Sequence, residues 1–274
     1  MTGLDENEIH AAIGDATRTR VASLVVFDEV DSTNSYLMRQ PVPAPGYLNV
    51  AVTDNQTAGR GRHGRTWQSP PGSGLALSVA FTFAESPENL PALTLAIGLG
   101  AIQALEDLHI AGVQLKWPND LIAGDGKLGG ILTEALTRDG DAVTIVTGIG
   151  LNVDLGPGLD LSAKSGWVQR AVDLTSHAGQ LPANEIIVGA LTNALFETLT
   201  GYGSRGLAPV LRDWQARDWL FGREITVDTA GQQLSGVGAG IADDGALLVE
   251  TAGQGTVRIT SGTVTRAGSG EHVA

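Results

Sequence analysis

The fold of this chain is decided by residues 113–153, which read VQLKWPNDLIAGDGKLGGILTEALTRDGDAVTIVTGIGLNV. Apolar and β-branched residues fill most of this stretch, and turn residues interrupt it at 124–126 (Gly-Asp-Gly) and 138–141 (Arg-Asp-Gly-Asp). Both interruptions are strong hairpin signals. We therefore predict an antiparallel meander of three strands, Val113–Trp117, Lys127–Leu136 and Ala142–Val153.

The sequence on both sides of this meander predicts further strands and several helices. Strand-like apolar runs occupy Val21–Val30, Asn49–Thr53 and Leu75–Phe83. Helical spacing of apolar residues predicts one helix from a Ser86-Pro87 start to Leu108, and two more over Pro182–Thr200 and Leu207–Trp214. We predict an α+β fold in which helices pack on one side of a mixed β-sheet.

The composition changes near Trp219, where short β segments begin to alternate with turns. These segments are Glu224–Val227, Leu234–Ile241, Leu247–Glu250, Thr256–Ile259 and Gly262–Val264. Five short strands within about 45 residues are typical of a small barrel of SH3 type. We predict a large domain over residues 1–218, a C-terminal SH3-like β-barrel over 219–266 and a disordered tail over 267–274.

Composition argues against several classes of function. The chain of 274 residues has a formal net charge of −13 and no cysteine. The negative charge disfavours non-specific binding to DNA or to anionic membranes, and the lack of cysteine excludes disulfides and thiolate chemistry. The first residues are polar, unlike a signal peptide, and no run of about 18 apolar residues predicts a membrane span. We expect a cytoplasmic protein.

A run of glycine and arginine interrupts this acidic chain at residues 55–67, NQTAGRGRHGRTW. Its glycines let the backbone approach a ligand closely, and Arg60, Arg62 and Arg65 offer guanidinium forks that grip phosphate or carboxylate. The run matches the Gly-x-Gly-x-x-Gly dinucleotide pattern, but Pro70 and Pro71 exclude the helix that this motif must open. Two interpretations stay open, a loop that wraps an anion and a solvated hairpin tip.

A second polar cluster surrounds KWPND (residues 116–120) and the strand that follows it. Only three of the 17 basic residues are lysines, Lys116, Lys127 and Lys164, and two of these lie in the cluster. Hairpin geometry is expected to bring both of them close to Asn119 and Asp120. Two cations, a carboxylate and an amide suit a polyanionic substrate with a metal ion, although a plain turn with exposed lysines explains the same pattern.

Two smaller polar segments also allow more than one interpretation. The segment DSTN (31–34) is typical of a helix N-cap. Asn152 lies late in an apolar strand, where its amide needs either a backbone partner or a ligand. The five histidines are scattered without metal-ligand spacing, so we predict no metal site built from protein ligands.

Taken together and in this order, the segments resemble the biotin protein ligases, which attach biotin to the carrier domains of carboxylases. The resemblance runs from about Phe27 to Val264. Its motifs are DSTN (31–34), QxxGRGRxGRxW (56–67), KWPND (116–120), KLGGIL (127–132) and GIGLN (148–152). Lipoate ligases and octanoyltransferases are similar in fold, but the Gly/Arg run and KWPND are expected of the biotin branch. The resemblance implies the class II synthetase-like ligase fold, in a short form without an N-terminal DNA-binding domain, because only about 26 residues precede the first motif strand.

The resemblance implies a two-step reaction in the domain formed by residues 1–218. The biotin carboxylate attacks the α-phosphate of Mg-ATP, which gives biotinyl-5′-AMP and pyrophosphate. A lysine amine of the carrier then attacks the acyl carbon, and AMP leaves. The implied small molecules are ATP, biotin and Mg²⁺, with the metal held mostly by phosphates and water. A loop that orders over the mixed anhydride protects it from hydrolysis.

The resemblance also implies roles for particular residues. Catalytic roles are implied for Lys127, Arg60, Arg62 and Asp120. Biotin contacts are implied for Ser32, Thr33, Asn34, Gln56, Gly59, Arg60, Gly61, Arg62, Lys127 and Gly129. Nucleotide contacts are implied for Arg65, Trp67, Lys116, Asn119 and Asn152. Lys127 would bridge the biotin carboxylate and the α-phosphate, and Asp120 would receive the proton of the acceptor lysine.

The implied partner is the biotin carboxyl carrier domain of an acetyl-CoA or acyl-CoA carboxylase. We expect neither DNA nor a membrane as a partner, and the chain is expected to be a monomer or a weak homodimer. Two other functions stay open at this point. One is a ligase for a different acyl cofactor such as lipoate, and the other is a biotin-binding module without catalysis.

Overall fold

Two β-sheets organise the chain, and the computed structural model describes residues 3–68, 70–156, 170–229 and 231–268. The first sheet contains β1 (Val21–Phe27), β2 (Leu48–Thr53), β3 (Gly74–Phe83), β4 (Val113–Lys116), β5 (Asp120–Ala123), β6 (Gly126–Asp139) and β7 (Ala142–Asn152). Their order across the sheet is β1-β2-β3-β7-β6-β5-β4. β1 pairs with β2 in parallel and the other neighbours pair antiparallel, so the sheet is mixed, as predicted.

Helices cover both faces of this sheet. They are α1 (Glu6–Ala12), α2 (Asp15–Arg18), α3 (Thr33–Met38), α4 (Leu93–Asp107), α5 (Leu174–Ala178), α6 (Asn184–Arg205) and α7 (Ala208–Trp214). The long helices α4 and α6 pack together over one face and share the main core with it, while the short α3 packs on the opposite face. Because β3 lies between these layers, every position along it is buried, and its sequence is almost entirely apolar or small.

The stretch Leu90–Asp107, which contains α4, is the one described segment whose length and composition would allow it to cross a membrane. In the fold, 56% of this stretch is buried. Its buried side chains belong to the main core. Core packing therefore accounts for its apolar character.

The second sheet follows the first along the chain and is antiparallel throughout. It contains β8 (Glu224–Thr229), β9 (Gln232–Ile241), β10 (Leu247–Thr251), β11 (Gly255–Ile259) and β12 (Thr263–Ala267), in the order β11-β10-β9-β8-β12. The predicted α+β fold with a C-terminal SH3-like unit is confirmed. The described strands form an open sheet with β11 and β12 at its edges, rather than a closed ring.

Tryptophan side chains fasten the second sheet to the first. The indole N–H of Trp117, within KWPND, donates to the carbonyl oxygen of Gly245 at 3.0 Å. The indole N–H of Trp219 donates to the carbonyl oxygen of Gly124, also at 3.0 Å. Both tryptophans are buried. The β4–β5 region is therefore held from both sides of the junction.

Some local predictions were wrong. The central meander has four strands, because β5 occupies part of the stretch that we interpreted as a link. The long helix begins at Leu93 after a short 3₁₀ turn, and not at Ser86-Pro87. The helices α1, α2 and α5 were not predicted. Residues 269–274 of the predicted tail, and Lys164, lie outside the described residues, and the domain boundary at 218 stays a prediction.

Candidate active site

A cavity of about 800 Å³ opens beside residues 55–67, which we call the Gly/Arg loop. Its wall is formed by this loop, α3, β3, the β4–β5 hairpin, β6, β7 and part of β12. Most of the predicted site residues line it together, namely Ser32, Thr33, Asn34, Gln56, Arg60, Gly61, Arg62, Arg65, Trp67, Lys116, Asn119, Asp120, Lys127 and Asn152. Segments far apart in the sequence therefore meet at one place, as the motifs predict.

The predicted residues Gly59 and Gly129 are not brought to the cavity wall. A Cβ atom on Gly59 would lie 2.5 Å from the carbonyl oxygen of Trp67, and one on Gly129 would lie 2.6 Å from that of Gly150. Real Cβ atoms do not approach so closely. These two glycines therefore serve close packing of the backbone around the site.

The Gly/Arg loop is folded back on itself as a small hairpin. The backbone N–H of Gly61 donates to the carbonyl oxygen of Arg65 at 2.8 Å, and that of Trp67 donates to Gly59 at 2.9 Å. His63 turns the chain with a φ of 56°. This fold points the loop arginines and Trp67 toward the same cavity.

The indole of Trp67 lies against two glycines that face each other across β6 and β7. Gly130 and Gly150 are direct cross-strand partners. A Cβ atom on Gly150 would lie 2.6 Å from the Trp67 ring, whereas one on Gly130 would lie 3.6 Å from it. The Nζ atom of Lys127 lies 5.8 Å from the ring centroid, within the range of a cation–π contact. The indole therefore needs the missing side chain of Gly150 to lie against the sheet, while Gly130 leaves room for a Cβ atom.

One side of the cavity, which we call the polar wall, consists of Thr33, Asn34, Gln56 and Ser78. The backbone N–H of Thr33 donates to Gln56 Oε1 at 2.9 Å, and the hydroxyl oxygens of Thr33 and Ser78 are 2.6 Å apart. Ser78 Oγ donates to Asn34 Oδ1 at 2.6 Å. Thr33, Asn34 and Ser78 are buried, so this uncharged surface suits a neutral group with donors and acceptors of its own.

Arg60 reaches from the Gly/Arg loop to Glu134 on β6. Its guanidinium donates to both carboxylate oxygens of Glu134, at 2.7 and 3.2 Å. The Oε2 atom of Glu134 also accepts from Asn34 Nδ2 at 3.1 Å. The positive charge of Arg60 is thus already paired within the protein. A group that is free to bind an anion would be expected to be unpaired.

Another part of the cavity, which we call the cationic end, gathers Lys116, Lys127 and Arg62 around Asp120. Lys116 and Asp120 are cross-strand partners in the β4–β5 hairpin. Lys127 Nζ donates to Asp120 Oδ1 at 2.6 Å. Burial lowers the pKa of Lys116 to about 8, and burial also lowers the pKa of Arg62. Three cationic side chains around one carboxylate give this end a net positive charge, which suits a polyanion.

The remaining predicted nucleotide contacts have structural partners. Asn119 Nδ2 donates to the carbonyl oxygen of Ile131 at 2.8 Å, which ties the β4–β5 turn to β6. Arg65 donates to Thr263 Oγ1 on β12 at 3.2 Å. Asn152 Nδ2 donates to backbone carbonyls, but its buried Oδ1 has no partner among the described residues. Both interpretations of Asn152 are thus compatible: its Nδ2 has backbone partners, and its Oδ1 is available to a ligand.

Several residues at the site were given no role by sequence reasoning. Ser78, Gly130, Gly148, Gly150 and Thr263 line the cavity, although the three glycines lie within the motifs KLGGIL and GIGLN. Glu134 is not part of the lining but contacts Asn34 and Arg60, which are. Glu134 was the most detectable, because it is the only acidic residue within the predicted apolar strand Lys127–Leu136. Ser78 and the glycines resemble ordinary strand residues until their neighbours across the sheet are known.

Metal binding by protein ligands finds no support in the described part of the chain, which contains no group of three or more histidine, aspartate or glutamate side chains arranged to hold an ion. Asp120, which lines the cavity, is paired with Lys127, and Glu134, which contacts the lining residue Arg60, is paired with that arginine. A metal here would therefore need most of its ligands from a bound molecule.

Comparison with known proteins places this site in a family. Residues 26–152 match the family described as "Biotin/lipoate A/B protein ligase family", and residues 220–265 match "Biotin protein ligase C terminal domain". Neither matching segment is a DNA-binding domain.

Individual relatives agree with these matches. The "Bifunctional ligase/repressor BirA" of Escherichia coli is 33% identical, over 84% of this chain and 70% of the relative. The "Biotin--[acetyl-CoA-carboxylase] ligase" of Mycobacterium tuberculosis is 32% identical, over 88% of each chain. The solved structure of the biotin protein ligase from Aquifex aeolicus in complex with biotin and ATP superposes with a TM-score of 0.73 and 28% identity, over 90% of this chain and 100% of that one.

The chain therefore belongs to the biotin/lipoate A/B protein ligase family. Within that family, its C-terminal domain and its similarity to named biotin ligases confirm the prediction of a biotin protein ligase enzyme.

Proposed function

We propose that this protein activates biotin with ATP as biotinyl-5′-AMP and transfers the biotinyl group to a lysine of a biotin carboxyl carrier domain. The observation that carries the proposal is the joining of two unlike surfaces in one cavity of about 800 Å³. The polar wall suits the uncharged ureido ring of biotin, and the cationic end suits the phosphates of ATP. The related biotin protein ligase from Aquifex aeolicus has been solved in complex with biotin and ATP.

The first step brings two anions together. An oxygen of the biotin carboxylate attacks the α-phosphorus, the bond to the β-phosphate oxygen breaks, and pyrophosphate leaves with the electron pair. The side chains of Lys116, Lys127 and Arg62 reduce the repulsion between carboxylate and phosphate. They also stabilise the charge that develops during transfer. Of these, Lys127 lies beside Trp67 and donates a hydrogen bond to Asp120.

The second step transfers the acyl group to the carrier. The neutral amine of the acceptor lysine attacks the acyl carbon of the mixed anhydride, AMP leaves, and the amine loses a proton. We propose Asp120 as the group that takes this proton. Its Oδ1 accepts a hydrogen bond from Lys127, so the proton is taken up by the other carboxylate oxygen or after Lys127 turns toward the departing AMP.

The Gly/Arg loop supplies the shielding that the mixed anhydride needs. Trp67 seats the loop on the sheet and Arg65 ties it to Thr263 of the second sheet. Water is thereby kept from the anhydride between the two steps. Within the described ranges, Nε1 of Trp67 and Oδ1 of Asn152 have no hydrogen-bond partner, and both would gain one from a bound nucleotide.

The residues fit a magnesium ion that arrives with the nucleotide. With both nearby carboxylates engaged in ion pairs, the ion would be held mainly by phosphate oxygens and water. Bound there, it would neutralise phosphate charge. We further propose a cytoplasmic location and a carboxylase carrier domain as partner, with neither DNA nor a membrane bound, and at most weak homodimerisation.

The first step is tested by ATP–pyrophosphate exchange, with biotin and lipoate as alternative acids. We expect exchange that depends on biotin and is at background with lipoate. Exchange with lipoate alone would replace the proposal with a lipoate ligase. Binding of biotin without exchange would reduce the protein to a binding module.

Retention of the adenylate tests the loop. Arg62→Ala should speed the escape of biotinyl-5′-AMP, because it removes one cation of the cationic end. Arg20→Ala is the matched control, because Arg20 contacts Tyr47 and neither residue lines the cavity. Equal escape rates from Arg62→Ala and the control would remove Arg62 from the proposed role.

A further inference from the structure

Glu134 is a mostly covered carboxylate whose contacts connect the two sides of the cavity. Its side chain is 21% exposed, so its charge needs partners inside the protein. It lies on β6 opposite Val146, on the face of the sheet that carries α3. No motif of the sequence assigns it a role.

Two groups of different origin share this carboxylate. Arg60 comes from the Gly/Arg loop, 74 residues away, and binds both oxygens in a fork. Asn34 comes from α3, 100 residues away, and donates to Oε2. The same Oε2 atom is also the acceptor for Arg60 Nη1, so the loop and the polar wall meet at one oxygen.

The contact with Asn34 continues into the polar wall. Asn34 Nδ2 faces two acceptors, Glu134 Oε2 and the carbonyl oxygen of Leu132. Its Oδ1 therefore faces Ser78, whose single hydroxyl proton it accepts at 2.6 Å. Thr33 Oγ1 lies 2.6 Å from Ser78 Oγ and 3.3 Å from Gln56 Oε1, and because the Ser78 proton is given to Asn34, the shorter contact takes the Thr33 proton. The lone pairs of Thr33 are left as the acceptors that this wall offers to an N–H group of a ligand.

We propose that Glu134 is a positioning residue, whose one carboxylate holds both the Gly/Arg loop and the side chains of the polar wall in place. It fixes the closed loop to β6 through Arg60, and it fixes the donor direction along Asn34, Ser78 and Thr33. In this arrangement Arg60 acts through Glu134 and not on the reacting atoms. Closure of the loop and recognition of the acid are therefore coupled.

The part of this inference that concerns recognition of biotin rests on the proposed function. The part that concerns the Arg60–Glu134 ion pair, which holds the loop to β6, does not. Glu134→Gln keeps the size of the side chain and one acceptor for Asn34, but it removes the charge that holds the guanidinium fork. Arg39→Gln is the matched control, because Arg39 also binds a carboxylate in a fork, to Asp31 beside α3. The first readout is trypsin cleavage after Arg62 and Arg65 in the ligand-free protein.

We expect Glu134→Gln to speed this cleavage about threefold to tenfold, the range for losing a charged hydrogen bond when the pair is partly exposed. The dissociation constant for biotin, measured by calorimetry, should rise by a similar factor because the closed loop is less populated. At saturating biotin the turnover rate should stay within about twofold of wild type, since Glu134 does not touch the reacting atoms. Arg39→Gln should leave cleavage and biotin binding unchanged.

Arg60→Gln breaks the same pair from the loop side without disturbing the sheet. It should speed cleavage to the same extent, and the double variant should be cleaved no faster than Glu134→Gln alone. Additive effects, or wild-type cleavage in Glu134→Gln, would overturn the proposal. If the wild-type protein failed to bind biotin, the proposed function would be wrong. The cleavage comparison would still show whether the Arg60–Glu134 ion pair holds the loop closed.

Discussion

Substituting Gly150 by alanine should unseat Trp67 and open the Gly/Arg loop. The added methyl carbon would lie 2.6 Å from Cε2 of the indole and 2.9 Å from Cζ2 and Nε1. Favourable carbon contacts need about 3.5 Å or more, so the ring must withdraw by roughly 1 Å. β7 cannot yield instead, because it is paired on both sides, with β3 and with β6.

The expected magnitude follows from the usual cost of overpacking, about 1–3 kcal/mol. Because the loop moves and the sheet does not, this cost falls on the equilibrium between closed and open loop. Each 1.4 kcal/mol is about a tenfold change, so trypsin cleavage after Arg62 and Arg65 should accelerate about fivefold to a hundredfold. The free energy of global unfolding, measured with denaturant, should change little.

Gly130→Ala is the matched control for this prediction. Gly130 is the cross-strand partner of Gly150, yet a Cβ atom there would lie 3.5 Å from Lys127 and 3.6 Å from the indole, which are ordinary contact distances. Cleavage of Gly130→Ala should match wild type. If Gly150→Ala were cleaved at the wild-type rate, or both variants were accelerated equally, the contact between Trp67 and Gly150 would not be what holds the loop closed.

Three further predictions concern the cationic end and the junction between the sheets. Because burial lowers the pKa of Lys116 to about 8, its ammonium is charged near pH 7 and mostly neutral near pH 9. KM for ATP should therefore rise across that range, and Lys116→Arg should abolish the rise; a flat wild-type profile would contradict this. Lys127→Ala should lower the rate of biotin-dependent pyrophosphate exchange about 10²- to 10³-fold, as for a lost oxyanion donor, and a near-normal rate would remove Lys127 from catalysis. Trp117→Phe should lower the free energy of unfolding by about 1–3 kcal/mol, because the carbonyl of Gly245 loses its indole donor; an unchanged denaturation midpoint would show that this bond does not hold the junction.

Alternating turns and apolar runs predicted most of the sheet, because β-strands and their hairpins have local sequence signals. The strand β5 was not predicted because it is only Asp120–Ala123 and follows directly on the turn of KWPND. The start of α4 was predicted wrongly for a different reason. Asn89 is held by tertiary contacts, donating to the carbonyl oxygen of Asp244 and accepting from Tyr202, and this fixes the segment before the helix in another conformation.

The site was predicted as a set of motifs but not as a set of contacts. Hairpin geometry predicted that Lys127 and Asp120 lie close together, the resemblance implied that the Gly/Arg loop joins them, and the fold brings all three to one cavity. The pairing of Arg60 with Glu134 joins positions 74 residues apart, and a single sequence contains no signal for such a contact. The distinction between Gly130 and Gly150 is likewise invisible until the indole above them is placed.

The central claim is the transfer of biotin to a protein lysine, and the most direct test is the intact mass of a biotin carboxyl carrier domain. The carrier should be incubated with this protein, ATP, magnesium and biotin, alongside a carrier whose acceptor lysine is replaced by arginine. The account predicts a mass gain of one biotinyl group on the normal carrier, dependent on ATP, and none on the arginine variant. An unchanged carrier mass, under conditions in which the protein binds biotin and ATP, would contradict it.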